Sequence, residues 1–201
     1  MTKTSAGGDR RAQLLEAAER CFERWGPERT SMDDVAEAAG VSRPTLYRYL
    51  GDRESMIREV VRLRSSRVIE PFHRHVATFD SFEEKVTEGL CFLVDRSRSD
   101  QVVSELIGPD LLDATTRMIM ADAGDTSIGL SFADRCWRPV LEAGIEAGAL
   151  RPDLDVTDAV RWIATFTFVL LGWANADDGP NRRHQRITRD FAIVGLFASI
   201  D

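Results

Sequence analysis

Apolar residues recur every three or four positions along the first part of the chain, which predicts amphipathic α-helices. Between Arg10 and Trp25, charged and amide side chains separate the apolar positions Leu14, Leu15, Ala18, Cys21, Phe22 and Trp25. Gly26 and Pro27 should end this helix, because glycine suits the left-handed position after a helix and proline cannot extend the helix.

Two shorter helices are predicted next, with a glycine between them. Thr30 and Ser31 are each followed three residues later by an acid, so either residue can cap the first of these helices. Gly40 ends that helix. Ser42 and Pro44 then begin the second helix, because proline is well tolerated in a first helical turn.

The second short helix combines an apolar anchor with a polar face. Leu46 is predicted to point into the core, whereas the arginine, threonine and tyrosine side chains around it should face solvent. Gly51 closes the helix, and Asp52 is predicted to cap a longer one. Two helices joined by a glycine turn, with such an exposed face, are typical of proteins that place a helix in the DNA major groove.

Helical spacing continues beyond this unit, and no stretch shows the strict alternation of a β-strand. We therefore predict an all-α chain in which an N-terminal three-helix helix-turn-helix domain precedes a larger helical domain. The predicted boundaries are a flexible arm over residues 1–9, the helix-turn-helix domain over 10–52, a connecting helix over 53–70 and the larger domain over 71–201.

A late segment, residues 156–174, is apolar on every side of a helical wheel, so it should be buried on every side. The last predicted helix, residues 187–200, also carries more than one apolar stripe. Together they predict a homodimer formed by four-helix packing, the alternative being a central helix within one chain. The predicted interface residues are Phe168, Leu171, Phe191, Val194 and Phe197.

Charge is distributed unevenly along the chain. The net charge is −7, yet residues 1–67 hold 13 Lys and Arg against 11 Asp and Glu, while the remainder holds 13 against 22. This asymmetry favours contact with phosphate at the N-terminal end, but the excess is too small for a general DNA clamp. The N-terminus lacks an apolar signal segment, and residues 162–174 are shorter than the roughly 20 residues of a membrane span, so we expect a cytoplasmic protein without a membrane partner.

Residues that could form a catalytic or metal site are not clustered in the sequence. Cys21, Cys91 and Cys136 are odd in number and lie within apolar patterns, which argues against a disulfide framework or a zinc site. His73 and His75 would point in different directions on a helix. We therefore predict no catalytic residues, no metal and no cofactor.

Within residues 10–62 the most specific run is Gly-Val-Ser-x-x-Thr-Leu-Tyr-x-Tyr, starting at Gly40. This region resembles the N-terminal domain of TetR-family transcriptional regulators. The resemblance implies a DNA-binding regulator whose second domain binds an effector. Three positions depart from the family pattern: Leu50 replaces a phenylalanine, Arg53 replaces a lysine, and Asp33 stands where relatives often have an arginine that reaches a base. The other runs that carry the resemblance are Thr30-Ser31-Met32, Val35-Ala36, Ala39-Gly40-Val41-Ser42, Thr45-Leu46-Tyr47 and Arg53-Glu54.

The sequence and the resemblance together predict a set of DNA contacts. Arg43 can bond a guanine or a phosphate, and Thr45 can touch a thymine methyl group or a phosphate. Tyr47 resembles the family tyrosine that contacts the DNA backbone. The helix N-terminus at Thr30 and Ser31 offers a second phosphate site. The complete predicted set is Thr30, Ser31, Ser42, Arg43, Pro44, Thr45, Tyr47, Arg48, Tyr49 and Arg53.

The larger domain is predicted to be a sensor for a small apolar or amphipathic effector. Its candidate lining residues, each of which could equally be plain core, are Phe92, Met118, Met120, Phe132, Trp137, Trp162 and Phe166. By resemblance, the effector would change the separation of two recognition helices and release a repressor dimer from a palindromic operator. Two alternatives remain open: a constitutive DNA-binding dimer without a ligand, and an all-α enzyme with an incidental helix-turn-helix.

Overall fold

The computed structural model describes residues 3–106 and 128–176, together with Asp190 and Leu196. These residues form eight α-helices and no β-strand, which confirms the all-α prediction. Residues up to Arg64 and Gln101–Leu106 form unit 1, and the other described residues form unit 2. The helices are α1 Lys3–Trp25, α2 Met32–Ala38, α3 Arg43–Leu50, α4 Arg53–Val76, α5 Phe82–Ser99, α6 Gln101–Leu106, α7 Ile128–Glu146 and α8 Val156–Ala176.

The core of unit 1 is built from the apolar faces of α1, α2 and α3 and from the first part of α4. Phe22, Val35, Leu46, Met56 and Val60 have no exposed surface. Full burial of such a side chain stabilises the fold by about 1.5–3 kcal/mol. The predicted amphipathic stripes therefore become one shared core.

Glycines end α1 and α2 where the sequence predicts. Gly26 has φ +81° and Gly40 has φ +63°, in the left-handed region that side chains with a Cβ rarely adopt. Gly26 has a second constraint, because a Cβ there would lie 2.6 Å from Oε2 of Glu105 in α6. Another residue at position 26 would therefore be strained by this φ, and the Glu105 carboxylate would have to move aside.

Two predicted boundaries differ from the structure. α1 begins at Lys3, so residues 3–9 are helical rather than a flexible arm. α4 continues through Pro71 to Val76, although a proline inside a helix costs about 3 kcal/mol. Burial of Phe72 and Val76 in the core of unit 2 offsets this cost. The border between unit 1 and unit 2 falls within α4, between Arg64 and Ser65, whereas the predicted boundaries followed residues 52 and 70.

The short helix α6 belongs to unit 1, although residue 71 was the predicted start of the larger domain. Val102 is 1% exposed and packs in the core of unit 1. A six-residue helix with one buried valine carries no periodic pattern, which is why the sequence did not predict its place.

Ion pairs join α1 to α4 within unit 1. The guanidinium of Arg64 lies 3.2 Å from Glu19 and 3.0 Å from Glu23, and the Arg64 side chain is 14% exposed. Arg11 makes a second link to Glu59 at 3.0 Å. Because Arg64 and Glu19 are largely removed from water, loss of one partner would leave a poorly solvated charge.

The core of unit 2 contains buried residues of α4, α5, α7 and α8. Phe72 and Trp137 meet edge to face with their ring centroids 4.8 Å apart, and both are fully buried. On α8, Ile163 and Leu170 face this core, whereas Trp162 is 51% exposed. The single chain therefore does not bury this helix on every side, which counts against the alternative of a central helix within one chain, and burial by a second chain stays a prediction.

The residues predicted to form the dimer interface lie in different environments. Leu171 is 3% exposed and belongs to the core of its own unit, and Phe168 packs against that core while partly buried. Leu171 therefore has almost no surface left for a partner chain, whereas Phe168 keeps part of its side chain accessible and stays a predicted interface residue. Phe191, Val194 and Phe197 lie outside the described residues.

Close packing at Gly89 gives a test of the unit 2 core. A Cβ at this position would lie 2.6 Å from Cη2 of Trp137 and 3.0 Å from atoms of Phe72 and Val76. Gly89→Ala should therefore lower the free energy of unfolding by about 1–3 kcal/mol, measured by urea denaturation. The matched control is Gly8→Ala in α1, where a Cβ meets open space and the higher helix propensity of alanine should stabilise. Equal effects at the two positions would contradict this account of the core.

Candidate functional site

Helix α2 starts with a complete capping box. The Ser31 hydroxyl accepts a hydrogen bond from the Asp34 amide at 3.2 Å, and the Asp34 carboxylate accepts from the Ser31 amide at 2.8 Å. The Ser31 hydroxyl also donates to this carboxylate at 2.6 Å, and these bonds hold the pKa of Asp34 below its ordinary value. Ser31, rather than Thr30, is therefore the cap, and it stays exposed at the N-terminus of α2.

Thr30 has a structural role instead of the predicted phosphate contact. Its side chain is 1% exposed, and its hydroxyl lies 2.7 Å from the carbonyl of Gly26 and 3.3 Å from that of Cys21. The hydroxyl thus satisfies carbonyls at the end of α1. Burial excludes the Thr30 side chain from a surface that contacts DNA.

Arg53 holds the same loop from the other side. Its Nε donates to the carbonyl of Thr30, and its Nη2 donates to the carbonyls of Pro27 at 2.6 Å and Glu28 at 3.1 Å. Arg53, which was predicted to contact a phosphate, therefore uses most of its N–H donors in hydrogen bonds to the loop between α1 and α2. We treat Arg53 as a positioning residue.

The two faces of α3 have opposite character. Leu46 is fully buried and Leu50 is 3% exposed, which confirms the inward anchor that the sequence predicts. Arg43 and Tyr47, also four residues apart, are exposed although their spacing places them next to the leucines around the helix axis. The other predicted contact residues that are exposed on or beside this helix are Ser42, Pro44 and Arg48.

Two further residues of the predicted set are partly buried. The Thr45 and Ser42 hydroxyl oxygens are hydrogen-bonded to each other at 3.0 Å. Ser42 therefore begins α3 without a side-chain hydrogen bond to a backbone amide of the helix. Tyr49 packs against the core of unit 1, and the Arg48 guanidinium lies 5.2 Å from the centre of its ring. Tyr49 therefore has less surface to offer to a partner than the prediction assumed.

Arg43 belongs to a small charged cluster between the starts of α2 and α3. Its Nη1 lies 3.0 Å from the carboxylate of Asp33, and its Nη2 lies 3.4 Å from the Tyr47 hydroxyl. The hydrogen bond with Tyr47 and the charge of Asp33 raise the pKa of Arg43. The resemblance to the TetR family marks an acid at position 33 as unusual, but it does not predict the ion pair.

The predicted effector residues of unit 2 do not share one environment. Trp137 is fully buried, Phe92, Phe132 and Phe166 are partly buried against the core, and Trp162 is exposed. Phe72, which the sequence did not single out, packs edge to face against both Phe92 and Trp137. Met118 and Met120 lie outside the described residues.

Two buried polar atoms without a described partner in unit 2 were also not predicted from the sequence. The hydroxyl of Thr87 and the indole N–H of Trp137 have no hydrogen-bond partner among the described residues. A helical threonine commonly bonds the carbonyl four residues earlier, as Thr165 and Thr167 do at 2.8 Å in α8. Thr87 leaves this bond unmade, which is costly for a buried hydroxyl.

The described residues give little support for a metal site, a reactive cysteine or a membrane span. In the part of the chain that the structure describes, no group of three or more His, Cys, Asp or Glu residues is placed to hold a metal ion. Burial raises the pKa of the Cys136 thiol to about 12, so this cysteine stays protonated at neutral pH. None of the helices within residues 3–106 and 128–176 has both the length and the apolarity of a membrane span.

The exposed face of α3 and the buried face that orients it lie in a region with known relatives. A family model described as "Bacterial regulatory proteins, tetR family" matches residues 14–60. The transcriptional repressor KstR2 of Rhodococcus jostii is 28% identical over 176 residues, which are 85% of this chain and 82% of that protein. The family match over residues 14–60 and this relative support a TetR-family transcriptional regulator. Another relative is the transcriptional regulator TtgR of Pseudomonas putida, 34% identical over 54% of this chain and 46% of TtgR.

Solved structures confirm the TetR-type fold. A TetR-family regulator from Pectobacterium atrosepticum superposes with a TM-score of 0.68 at 17% identity, covering 98% of both chains. RolR in complex with resorcinol superposes with a TM-score of 0.70 at 18% identity, covering 98% of this chain and 92% of RolR. The family match and the relatives named as transcriptional regulators support a DNA-binding transcriptional regulator.

The capping box of α2 predicts a specific dependence of stability on pH. Because the folded-state pKa of Asp34 lies below its unfolded value of about 3.9, its stabilising effect is present above that value and is lost as the pH falls through the lowered pKa. Asp34→Asn should lower the urea midpoint at pH 7, and the gap from the parent should close below about pH 4.

The control removes the partner of Asp34. In a Ser31→Ala background, the same Asp34→Asn change should produce a smaller gap at pH 7, because the hydroxyl that donates to the carboxylate is gone. A gap that widens toward acid would contradict the role given to Asp34.

Proposed function

We propose that this TetR-family chain is a repressor that binds a palindromic operator as a homodimer and is released by a small, mostly apolar molecule. The observation that carries the DNA-binding part is that Leu46 and Leu50 anchor α3 in the core while Arg43, Tyr47 and Arg48 of the same helix stay exposed. The similarity to KstR2, named as a transcriptional repressor, supports repression.

On the exposed side of α3, each residue has a distinct role in the proposal. Arg43 reads a guanine through its O6 and N7 atoms, and Tyr47 donates its hydroxyl to a phosphate. Ser42, Pro44 and Arg48 extend the surface at either end, and the exposed Ser31 places a helix N-terminus beside a second phosphate. Thr45 contributes the part of its side chain that stays accessible.

The small size of this surface supports a homodimer. One short helix offers few base contacts, so specific binding requires two copies of α3 on two half-sites about one helical turn apart. Helix α8 supports self-association, because Trp162 is 51% exposed and its ring lies 6.4 Å from that of Phe166, nearly parallel to it. Aromatic surface of this kind is common at interfaces between chains.

The buried Trp137 N–H and Thr87 hydroxyl support an effector with an oxygen acceptor. A donor inside an apolar core loses its water partners, so an incoming carbonyl or carboxylate oxygen would gain a strong bond from it. The ring of Phe72, which packs against both Trp137 and Phe92, would contact the apolar remainder. Release requires the effector to bind the DNA-free form more tightly than the DNA-bound form.

The DNA-binding proposal is tested by selecting, from a library of random DNA duplexes, those that bind the protein. The selected duplexes should contain an inverted repeat, and light scattering should show two chains per duplex. Arg43→Ala should weaken binding to the selected duplex roughly tenfold to hundredfold and relax one base position. Tyr47→Phe should weaken all duplexes alike, because a phosphate contact carries no sequence information.

Arg20→Ala is the matched control for loss of one exposed arginine from unit 1. It lies on α1, so it should change binding far less than Arg43→Ala. Selection that returns no shared sequence, or an equal effect of the two arginine variants, would overturn the proposed role of α3.

Stability measurements test the hydroxyl proposed for effector recognition. Thr87→Val keeps the side-chain shape and removes an unpaired buried hydroxyl, so the effector-free protein should gain about 1–2 kcal/mol of unfolding free energy. Thr167→Val is the control, because its hydroxyl donates to the Ile163 carbonyl and its loss should not stabilise. Destabilisation by Thr87→Val would show that the hydroxyl already has a partner in the effector-free protein.

A further inference from the structure

The ion pair between Asp33 and Arg43 places a negative charge on the surface proposed to meet DNA. Asp33 lies in the first turn of α2, and Arg43 is the first residue of α3. The carboxylate oxygen and Nη1 are 3.0 Å apart, with 65% of the Asp33 side chain and 57% of the Arg43 side chain exposed. Any DNA that Arg43 contacts must therefore also come close to Asp33.

Asp33 is not needed to start α2. The capping box is made by Ser31 and Asp34, and the carboxylate of Asp33 takes no part in it. Arg43 is in turn held by Tyr47, whose hydroxyl lies 3.4 Å from Nη2 and whose ring centre lies 5.5 Å from the guanidinium carbon. The main described contact of the Asp33 carboxylate is thus with the arginine proposed to read a base.

A carboxylate beside an arginine affects phosphates and bases differently. A phosphate that approaches Arg43 is repelled by Asp33, and this repulsion acts over about 10 Å at 0.1 M salt. The O6 and N7 atoms of guanine are uncharged acceptors, so they are repelled far less. Arg43 still has further N–H donors when Nη1 is bonded to Asp33, because a guanidinium carries five.

We propose that Asp33 is a specificity-determining residue that acts through Arg43, lowering the affinity of Arg43 for phosphate while leaving its donors available to a guanine edge. This inference rests on the proposed function, in which Arg43 reads a base. It makes Asp33 a positioning residue, and it gives a physical role to the acid that replaces the arginine often found at this position in the family.

Asp33→Asn is the direct test, because it removes the charge and keeps the shape. With the selected duplex and a scrambled duplex of equal length, we expect affinity for scrambled DNA to rise about threefold to tenfold. Affinity for the selected duplex should change by less than about threefold, so the ratio of the two affinities falls. The salt dependence of scrambled-DNA binding should steepen by up to about 0.9 in log–log slope, the value for one additional phosphate contact.

Two variants control for charge and for the pair itself. Glu37→Gln removes one exposed acid from the same helix, away from the capping box, and should leave the affinity ratio unchanged. In an Arg43→Ala background, Asp33→Asn should no longer lower the ratio, because the residue through which Asp33 acts is absent.

The outcomes separate this inference from the function on which it rests. If the parent protein shows no preference for any duplex, the proposed function fails. If the parent prefers the selected duplex and Asp33→Asn leaves both the ratio and the salt slope unchanged, the role of Asp33 is overturned and the proposed function stands. A drop in scrambled-DNA affinity would also overturn the role of Asp33.

Discussion

Leu46 has no exposed surface, and its burial among residues of α1 and α2 fixes which side of α3 faces solvent. Leu50 follows it by four residues and lies on the same buried side. Pro44 and Arg48 lie on the opposite side of the helix, and the exposed Arg43 and Tyr47 lie between them and the leucines around the helix axis. The surface that distinguishes this regulator therefore depends on an apolar contact that never meets the partner.

Several polar residues near that surface support it rather than touch a partner. Thr30 satisfies carbonyls at the end of α1, and Arg53 bonds carbonyls of the following loop. Ser31 and Asp34 fix the first turn of α2. These bonds set the start of α2 relative to α1, and α2 in turn presents Asp33 to Arg43. The local polar network thus supplies orientation, whereas Arg43 and Tyr47 supply chemistry.

Features with a local physical cause could be predicted from the sequence. The helical periodicity, the turn at Gly40 and the inward Leu46 follow from spacing and from backbone preference, and the structure confirms them. Features decided by distant packing could not be predicted. Thr30 and Ser31 are equal as caps in the sequence, and only the burial of Thr30 separates them. Pro71 is a helix breaker by local preference, but the buried Phe72 beside it keeps α4 continuous.

Amide hydrogen exchange, followed by mass spectrometry with and without the selected duplex, tests most directly whether the exposed side of α3 is the DNA interface. The account predicts that DNA slows exchange in peptides covering α3 and the first turn of α2. Peptides from the core of unit 2 that contain Trp137 should not gain comparable protection. Protection confined to unit 2, or no change over Arg43–Leu50 when DNA is bound, would contradict the account.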